Sequence, residues 1–453
     1  MTSFLFDHAL LPDGWARNVR IDVANGTITQ VAPSAPRDGA EHVRGIALPG
    51  LPNVHCHSFQ KGMAGLAERR GPDHDSFWTW RQVMYRFLAA LTPEDVEAVA
   101  AYAYMEMLEA GFTAVGEFHY LHHDIDGRPY ADIGEMASRI AAAAAQTRIG
   151  LTLLPSFYAY GGFGGSAPAP EQRRFLNDPN RFLKLVARTR EIAAALPDAN
   201  VGIAPHSLRA VTAETLHALV AACKDGPVHI HAAEQMKEVD DCLVALGCRP
   251  VEWLLDQVGI GPRWCIVHAT HTTAEETQQL ATSEAVVGLC PLTEANLGDG
   301  IFDGKRFVVA GGRFGIGTDS NIEIDAAAEL RQLEYGQRLR HRARNVLTQR
   351  EGCSVGRLLY DSALAGGAQA LGRAIGSIEA GRRADIVVLA GDHPDLSAGK
   401  DDVWLDAYVF TAGRRLVDTV IVAGETIVEH GRHRCHAAIA ERYRKVVARL
   451  AAQ

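Results

Sequence analysis

The sequence of 453 residues has no closely spaced pair of cysteines and no long apolar run. Its eight cysteines are scattered and include no CxxC pair, a pattern that indicates buried thiols in a reducing cytoplasm. No window reaches the roughly 18 apolar residues that span a bilayer. The first residues, MTSFLFDHALLPDGW, also lack the basic and apolar regions of a signal peptide. We therefore expect a cytoplasmic protein with no membrane partner.

Positive charge is not in excess either, since the formal net charge is −9 at pH 7. Nucleic-acid surfaces are normally basic, so this balance argues against a nucleic-acid partner. A local cationic pocket for an anionic small molecule is compatible with it. The length leaves room for one large domain and a smaller one.

Both ends of the chain have the pattern of β-strands. Residues 18–33 contain two strand-like runs around Asn25-Gly26, the strongest short signal for a hairpin. Similar runs return at 384–391 and 416–431, so we predict that the two ends pair into one small β-sandwich domain. The predicted domain comprises residues 1–46 and 374–435, and a C-terminal helix follows over 436–453.

The middle of the chain, residues 47–373, alternates eight short apolar runs with helix-like stretches. Strands that are apolar throughout and alternate with helices indicate a parallel sheet covered on both faces. A doubly wound open sheet fits this alternation, but the count of eight favours a closed (β/α)8 barrel of the TIM type. The runs span 46–57, 112–120, 148–160, 201–208, 227–234, 265–271, 285–292 and 314–320.

Polar side chains lie where these apolar runs end, which is where a TIM-type barrel has its active site. His55 and His57 are two residues apart on a strand, so both imidazoles project to the same side. An isolated HxH pair is a weak signal, but His231, His268 and Asp319 close later runs. Three imidazoles and one carboxylate are a normal ligand set for zinc or a similar divalent ion.

The motifs at the run ends resemble those of the deaminase branch of the amidohydrolase superfamily. They are PGLPNVHCH (49–57), HIHAAE (229–234), VHATH (267–271) and GIGTDS (315–320). Longer segments resemble the formimidoylglutamate deiminase family in particular, and the resemblance spans the chain. These segments are SFQKGMAGLAER, DSFWTWRQVMYRF, GEFHYLHHD, APHSLRAV, AEQMKEVDDCL and CPLTEANLGDGIF.

The resemblance implies a metal-dependent hydrolase that holds one zinc ion with His55, His57, His231 and Asp319. Binuclear members of the superfamily use a carboxylated lysine at the fourth strand, whereas the fourth run here, VGIAPHSL, has no lysine. A single ion is therefore expected, although ferrous iron accepts the same ligands as zinc. The resemblance also implies four substrate contacts, namely Gln60, Arg81, Tyr120 and His206.

The implied reaction is hydrolysis of N-formimidoyl-L-glutamate to N-formyl-L-glutamate and ammonia by a metal-activated hydroxide, in histidine degradation. Ammonia leaves an amidine only when its nitrogen gains a proton, and we predict that Glu234 carries that proton. The alternative is that Glu234 only orients His231. We expect Asp319 to orient the attacking water and His268 to stabilise the intermediate.

The two carboxylates of such a substrate require fixed cations, and arginine binds carboxylates with a planar fork. Arg209, just beyond the fourth run, is predicted to bind one of them. Arg81 is the second candidate, with an exposed surface charge as the alternative. The glycine-rich segment 158–170 is interpreted as a mobile cover or a plain surface loop.

Three other polar residues are given no chemistry. His122 and His123 are predicted to be solvated loop residues, and Glu117 is expected to be buried near the site without reacting.

Two other functions fit parts of the pattern. Deamination of an aromatic base such as guanine or cytosine would use the same metal ligands, but its substrate has no carboxylates for arginines to bind. A non-catalytic interaction protein with this barrel is expected to lack some of the ligands. A homodimer is expected from related barrels.

Overall fold

The computed structural model describes residues 2–37, 39–70 and 75–452. Met1 and Gln453, at the ends of the predicted segments, lie outside the described residues, as do positions 38 and 71–74. The strands are β1 Thr2–Leu11, β2 Gly14–Ala24, β3 Thr27–Ala32, β4 Glu41–Pro49, β5 Leu51–Cys56, β6 Phe112–His119, β7 Gly150–Phe157, β8 Asn200–Val201, β9 Ala204–Pro205, β10 Val228–Ala232, β11 Trp264–His268, β12 Val286–Leu289, β13 Arg313–Ile316, β14 Ile386–Leu389, β15 Val417–Val422, β16 Glu425–Glu429 and β17 Arg432–His433.

The helices alternate with the strands through the middle of the chain. They are α1 Phe77–Leu88, α2 Pro93–Glu109, α3 Glu135–Thr147, α4 Pro179–Ala193, α5 Ala213–Ala222, α6 Met236–Leu246, α7 Pro250–Trp253, α8 Ala274–Thr282, α9 Pro291–Leu297, α10 Gly304–Val309, α11 Ala326–His341, α12 Val355–Leu371, α13 Asp402–Ala407 and α14 His436–Ala451. No helix within the described ranges has both the length and the apolar character needed to cross a membrane.

The two ends of the chain form one eight-stranded sheet with the order β17-β16-β15-β14-β4-β1-β2-β3. The Asn25-Gly26 hairpin joins β2 to β3, and both turn residues have positive φ, as a tight hairpin turn requires. Thr27, at the start of β3, forms an antiparallel bridge with Arg383, which precedes β14, so the N-terminal and C-terminal halves of the sheet also meet at this point. Apolar residues of both halves, such as Phe6 and Ile386, share one core. The predicted β-sandwich formed by both termini is confirmed.

The first apolar run serves two sheets. Its beginning belongs to β4, which extends to Pro49 and pairs with β14 of the small sheet, whereas Leu51–Cys56 forms the first barrel strand. Gly50 lies between them, and its amide donates a hydrogen bond to Asp385 O at 3.0 Å. A Cβ at this position would lie 2.3 Å from the Thr113 side chain, so the crossing point requires glycine.

The middle of the chain forms a parallel sheet with the order β10-β11-β12-β13-β5-β6-β7-β8, and β9 also pairs with β7. The fourth barrel strand is therefore split into β8 and β9. Parallel bridges from Ile203 to Val228 and from Ser207 to His231 join this broken strand to β10. They close the ring, so the predicted (β/α)8 barrel is confirmed and the open sheet is excluded.

The C-terminal end of α12 covers the N-terminal face of the barrel. The carbonyl of Leu371 accepts hydrogen bonds from Thr152 Oγ1 and Asn200 Nδ2, and the carbonyl of Ala370 accepts one from His229 Nε2. These donors lie near the beginnings of β7, β8 and β10. The N-terminal face of the barrel is thus filled by backbone and side chains, and the face at the C-terminal ends of the strands is left for a site.

All eight cysteines are free thiols, and five of them are buried. Cys248 and Cys435 are half-buried, and Cys353 is exposed. The expectation of buried thiols throughout is therefore wrong for Cys353, which lies in the loop before α12.

Candidate active site

The four predicted metal ligands meet at the ends of β5, β10 and β13. Oδ1 of Asp319 lies 3.3 Å from His55 Nε2 and 3.4 Å from His57 Nε2. The Nε2 atoms of His55 and His231 are 3.1 Å apart. All four side chains are buried, so the structure brings them into one enclosed cluster.

The donor set of this cluster fits a divalent cation. His57 Nδ1 donates to the Phe118 carbonyl and His231 Nδ1 to the His206 carbonyl, both at 2.9 Å. A neutral ring with its proton on Nδ1 presents a bare lone pair at Nε2. Burial keeps the rings neutral, because it lowers the pKa of His55 to about 3 and also lowers the pKa values of His57 and His231. Lone pairs that face each other around a carboxylate oxygen are satisfied by a metal ion.

A hydrogen-bond network that the sequence motifs do not reveal holds Asp319 in place. Its φ of 43° is left-handed, and its amide donates to the carbonyl of His55 at 3.0 Å. Asn321 Nδ2 donates to the carbonyls of Asp319 and His57, at 3.0 and 3.1 Å. Asn53 Nδ2 donates to Thr318 Oγ1 at 2.7 Å. An asparagine inside the apolar run before the HxH pair was the available signal for this network.

His268 and Glu234 lie beside the cluster and face each other. His268 Nε2 is 3.8 Å from Glu234 Oε1 and 3.9 Å from Asp319 Oδ2, and its Nδ1 donates to Glu294 Oε1 at 3.2 Å. Burial opposes a charge on His268, but these three carboxylates raise its pKa to about 10. Burial raises the pKa of Glu234. The pair therefore holds at least one transferable proton, and Glu294 is a partner that sequence reasoning missed.

A narrow cavity opens from this cluster. All of the predicted substrate contacts line it, namely Gln60, Arg81, Tyr120, His206 and Arg209. Glu234 and three of the predicted metal ligands, His57, His231 and Asp319, line it as well. The cavity thus places the sequence-predicted residues around one common space next to the cluster.

Buried polar contacts fix the side chains of this cavity. Gln60 Nε2 donates to the Tyr120 hydroxyl at 2.8 Å. Arg209 is 9% exposed, and its Nη2 lies 3.7 Å from Glu234 Oε2 and 4.0 Å from Glu238 Oε2. The guanidinium is therefore buried next to the cluster and partly balanced by two carboxylates.

Helix α1 forms the outer wall of the cavity. The Arg81 guanidinium carbon lies 4.8 Å from the centroid of the Trp78 ring and 5.5 Å from that of Tyr85. The Arg209 guanidinium carbon lies 5.9 Å from the same Trp78 centroid. Arg81 is half-buried here, which disfavours the alternative of a plain surface charge.

His122 and His123 are buried, so the prediction that they are solvated is wrong. Their Nε2 atoms donate to the carbonyls of Ser156 and Leu176, each at 2.8 Å. The expectation that Glu117 is buried is confirmed. Its carboxylate accepts hydrogen bonds from Ser58 and Tyr104, and burial raises its pKa to about 7.

The segment 158–170 is anchored at both of its ends. Tyr158 is buried in the wall of the cavity, and its hydroxyl accepts a hydrogen bond from Gln172 Nε2 at 2.5 Å. The Gln172 carboxamide oxygen in turn accepts the amide of Ala169. A motion of the glycine-rich middle of this segment stays a prediction.

Comparison with known proteins places the chain. The model of the amidohydrolase family matches residues 46–427, and the model described as formimidoylglutamate deiminase HutF, N-terminal domain, matches residues 2–45. The chain belongs to the amidohydrolase family. A formimidoylglutamate deiminase of Pseudomonas aeruginosa is 52% identical to it, over 96% of this chain and 96% of that protein. The resemblance proposed from the motifs is confirmed.

Two solved structures are similar to this fold. An amidohydrolase from Brucella melitensis matches with a TM-score of 0.95 and 51% identity, and all of both chains is covered. An adenosine deaminase from Xanthomonas campestris with bound zinc matches with a TM-score of 0.81. It is 22% identical, with 100% of this chain and 99% of that chain covered, so it supports the fold alone. Membership in this family makes the chain a hydrolase.

Proposed function

We propose that this chain hydrolyses N-formimidoyl-L-glutamate to N-formyl-L-glutamate and ammonia, as a step of histidine degradation. The observation that carries the proposal is the single cavity that joins the His/Asp cluster to the two guanidiniums of Arg81 and Arg209. The cluster suits hydrolysis of a C–N bond, and the guanidiniums suit a substrate with two carboxylates. The 52% identical deiminase of Pseudomonas aeruginosa supports the same assignment.

The metal ion in this proposal is held by His55, His57, His231 and Asp319, and zinc is the ion that three imidazoles and one carboxylate suit. When bound, such an ion would supply a water molecule whose pKa is lowered from that of bulk water to about 7. The chain's own part is to keep the Nε2 atoms of His57 and His231 bare, because Nδ1 of each ring donates to a backbone carbonyl. Loss of any one of these ligands is expected to remove the ion.

Glu234 moves the protons of the reaction in this proposal. Water adds its oxygen to the amidine carbon, and the C–N bond breaks once the departing nitrogen has gained a proton. The Glu234 carboxylate carries both protons of the attacking water to that nitrogen. The first moves as the oxygen adds, and the second moves from the new hydroxyl as the carbonyl forms and ammonia leaves. Burial favours the protonated form of Glu234, so the proton is held until the nitrogen accepts it.

His268 stabilises the tetrahedral carbon in this proposal. Its ring is fixed by the hydrogen bond to Glu294 Oε1, and its Nε2 faces both Glu234 and Asp319. A protonated imidazole at this position donates to the oxygen that becomes negatively charged during the addition. The carboxylates around it maintain that protonated state.

The substrate skeleton lies along the remaining wall of the cavity in this proposal. The Arg209 guanidinium lies near both Glu234 and the Trp78 ring of α1, and Arg81 lies on α1 itself, so each guanidinium is available to one carboxylate. Gln60, Tyr120 and His206 supply the neutral polar contacts. An aromatic base offers these arginines no negative charge, which is why base deamination is the less favoured alternative.

A substrate panel tests the proposal. We expect ammonia from N-formimidoyl-L-glutamate and far less from N-formimidoylglycine, which lacks the second carboxylate, and none from guanine or cytosine. Ammonia release is measured with equal amounts of purified enzyme. No release from the first compound would refute the assignment, and release from guanine or cytosine would favour the alternative.

Three finer points of the assignment are proposals with direct measurements. Elemental analysis of the purified protein distinguishes zinc from iron, and the absence of any divalent ion would favour a non-catalytic protein. Light scattering on a sizing column tests the homodimer. Cell fractionation tests the cytoplasmic location.

A further inference from the structure

The two oxygens of Asp319 face two different groups of ligand atoms. Oδ1 lies 3.3 Å from His55 Nε2 and 3.4 Å from His57 Nε2, within the cluster proposed to hold the catalytic ion. Oδ2 turns the other way and lies 3.9 Å from His268 Nε2. A carboxylate in this orientation can bridge two cations, as carboxylates do in two-metal sites.

Cys290 completes the second group of ligand atoms. It follows β12 and is fully buried, and its Sγ, a ring nitrogen of His268 and a carboxylate oxygen of Asp319 lie within 4.8 Å of one another. His268 Nε2 is buried and accepts or donates no hydrogen bond among the described residues. This nitrogen lies 3.8 Å from Glu234 Oε1 and 3.9 Å from Asp319 Oδ2, both beyond hydrogen-bond distance, so it is open to an ion.

Glu294 fixes the positions of the two new ligands, His268 and Cys290, relative to each other. Its Oε1 accepts a hydrogen bond from the Cys290 amide at 2.9 Å and another from His268 Nδ1 at 3.2 Å. The imidazole and the cysteine backbone are thus tied to one atom, and Nε2 is the ring nitrogen left to bind an ion once its own proton is released. Hydrogen bonds of this kind orient metal ligands in known sites.

We propose that a second, soft divalent cation binds between His268, Cys290 and Asp319, with Asp319 bridging it to the catalytic ion. A thiolate, an imidazole and a carboxylate form a ligand set for zinc or cadmium and a poor one for magnesium or calcium. The cation takes the place of the Cys290 thiol proton and of the proton on His268 Nε2, and both protons pass to solvent. Because it occupies His268, the bound ion inhibits the deiminase, so the inference rests in part on the proposed function.

A cadmium titration tests this site. The zinc-loaded enzyme is prepared with Cys248, Cys353 and Cys435 replaced by serine, because these half-buried or exposed thiols would bind cadmium themselves. After titration and gel filtration we expect about one cadmium per chain in addition to the zinc, and an ultraviolet charge-transfer band from a cadmium–thiolate bond. Deiminase activity is expected to be lost at the same cadmium concentration.

The variant Cys290→Ala in the same background is expected to lose the cadmium and the band, and to stay active in its presence. Cys242→Ala is the matched control, since Cys242 is equally buried on α6 and outside the ligand group. If Cys290→Ala does not fold, Cys290→Ser is used in its place. If neither variant folds, the test rests on the charge-transfer band of the protein in which Cys290 is intact. Absence of that band, cadmium that only displaces zinc, or undiminished binding by Cys290→Ala would overturn the second site.

Failure of the deiminase assignment is distinguishable from failure of this inference. The enzyme is assayed with N-formimidoyl-L-glutamate before any cadmium is added, and inactivity at that point refutes the proposed function alone. The count of cadmium ions and the charge-transfer band do not depend on the substrate.

Discussion

In the metal-ligand half of the cavity backbone carbonyls fix His57 and His231, whereas in the half around Trp78 of α1, called the α1 half below, long side chains hold one another. His57 and His231 donate to carbonyls of neighbouring strands at 2.9 Å. Arg81 and Arg209 instead have their guanidinium carbons 4.8 and 5.9 Å from the centroid of the Trp78 ring, and neither donates a hydrogen bond to a strand backbone among the described residues. The first half is built for fixed geometry, and the second can adjust.

This difference follows from what each half has to do. A reacting carbon must be held within a fraction of an ångström of its partners, which strand-anchored groups achieve best. A carboxylate has two equivalent oxygens and accepts several orientations of a guanidinium. Substitutions in the metal-ligand half should therefore change kcat, and substitutions in the α1 half should change KM.

The largest effect is expected for Glu234→Gln, which removes the proton carrier and leaves the metal ligands intact. We expect kcat to fall by about 10²–10⁴-fold, the usual contribution of a general acid–base group. Steady-state kinetics and elemental analysis of the same sample measure the two quantities. Glu275→Gln, at an exposed position on α8, is the control and should change neither. Retained kcat with bound metal would assign Glu234 an orienting role only.

The metal-ligand half was more predictable from the sequence than the α1 half. His55, His57 and Asp319 follow runs whose apolar pattern already marks them as buried strands, so their place at the strand ends is set locally. The network of Asn53 and Asn321 was not predictable, because its bonds from Asn321 to His57 and from Asn53 to Thr318 join residues 264 and 265 positions apart.

The errors on His122 and His123 have the same physical cause. Both follow β6 and precede polar residues, which locally resembles a solvated loop. The chain returns about fifty residues later, and the carbonyl of Arg174 accepts the amides of both histidines at 3.0 Å. This covering segment encloses their rings. Burial that a distant segment imposes leaves no trace in the local pattern.

The next effect in size is expected for Arg209→Met in the α1 half. A hydrogen bond to a charged group contributes about 1.5–3 kcal/mol, which corresponds to a KM raised by about 10- to 150-fold. Arg350→Met, at an exposed position, should leave KM unchanged. Arg209 also lies near Glu234, so kcat is measured in parallel. A fall in kcat without a rise in KM would remove the distinction between the two halves.

The smallest effect is expected for Trp78→Leu, which keeps an apolar side chain on α1 and removes the aromatic ring that both arginines approach. A cation–π contact at a partly exposed site contributes about 0.5–1 kcal/mol, and its loss corresponds to a KM raised by about 2- to 5-fold. Trp78→Phe retains a ring and should restore most of the affinity. Because the ring touches arginines and no metal ligand, kcat and the metal content should not change. An equal loss with phenylalanine and leucine would mean that Trp78 fills space without orienting the arginines.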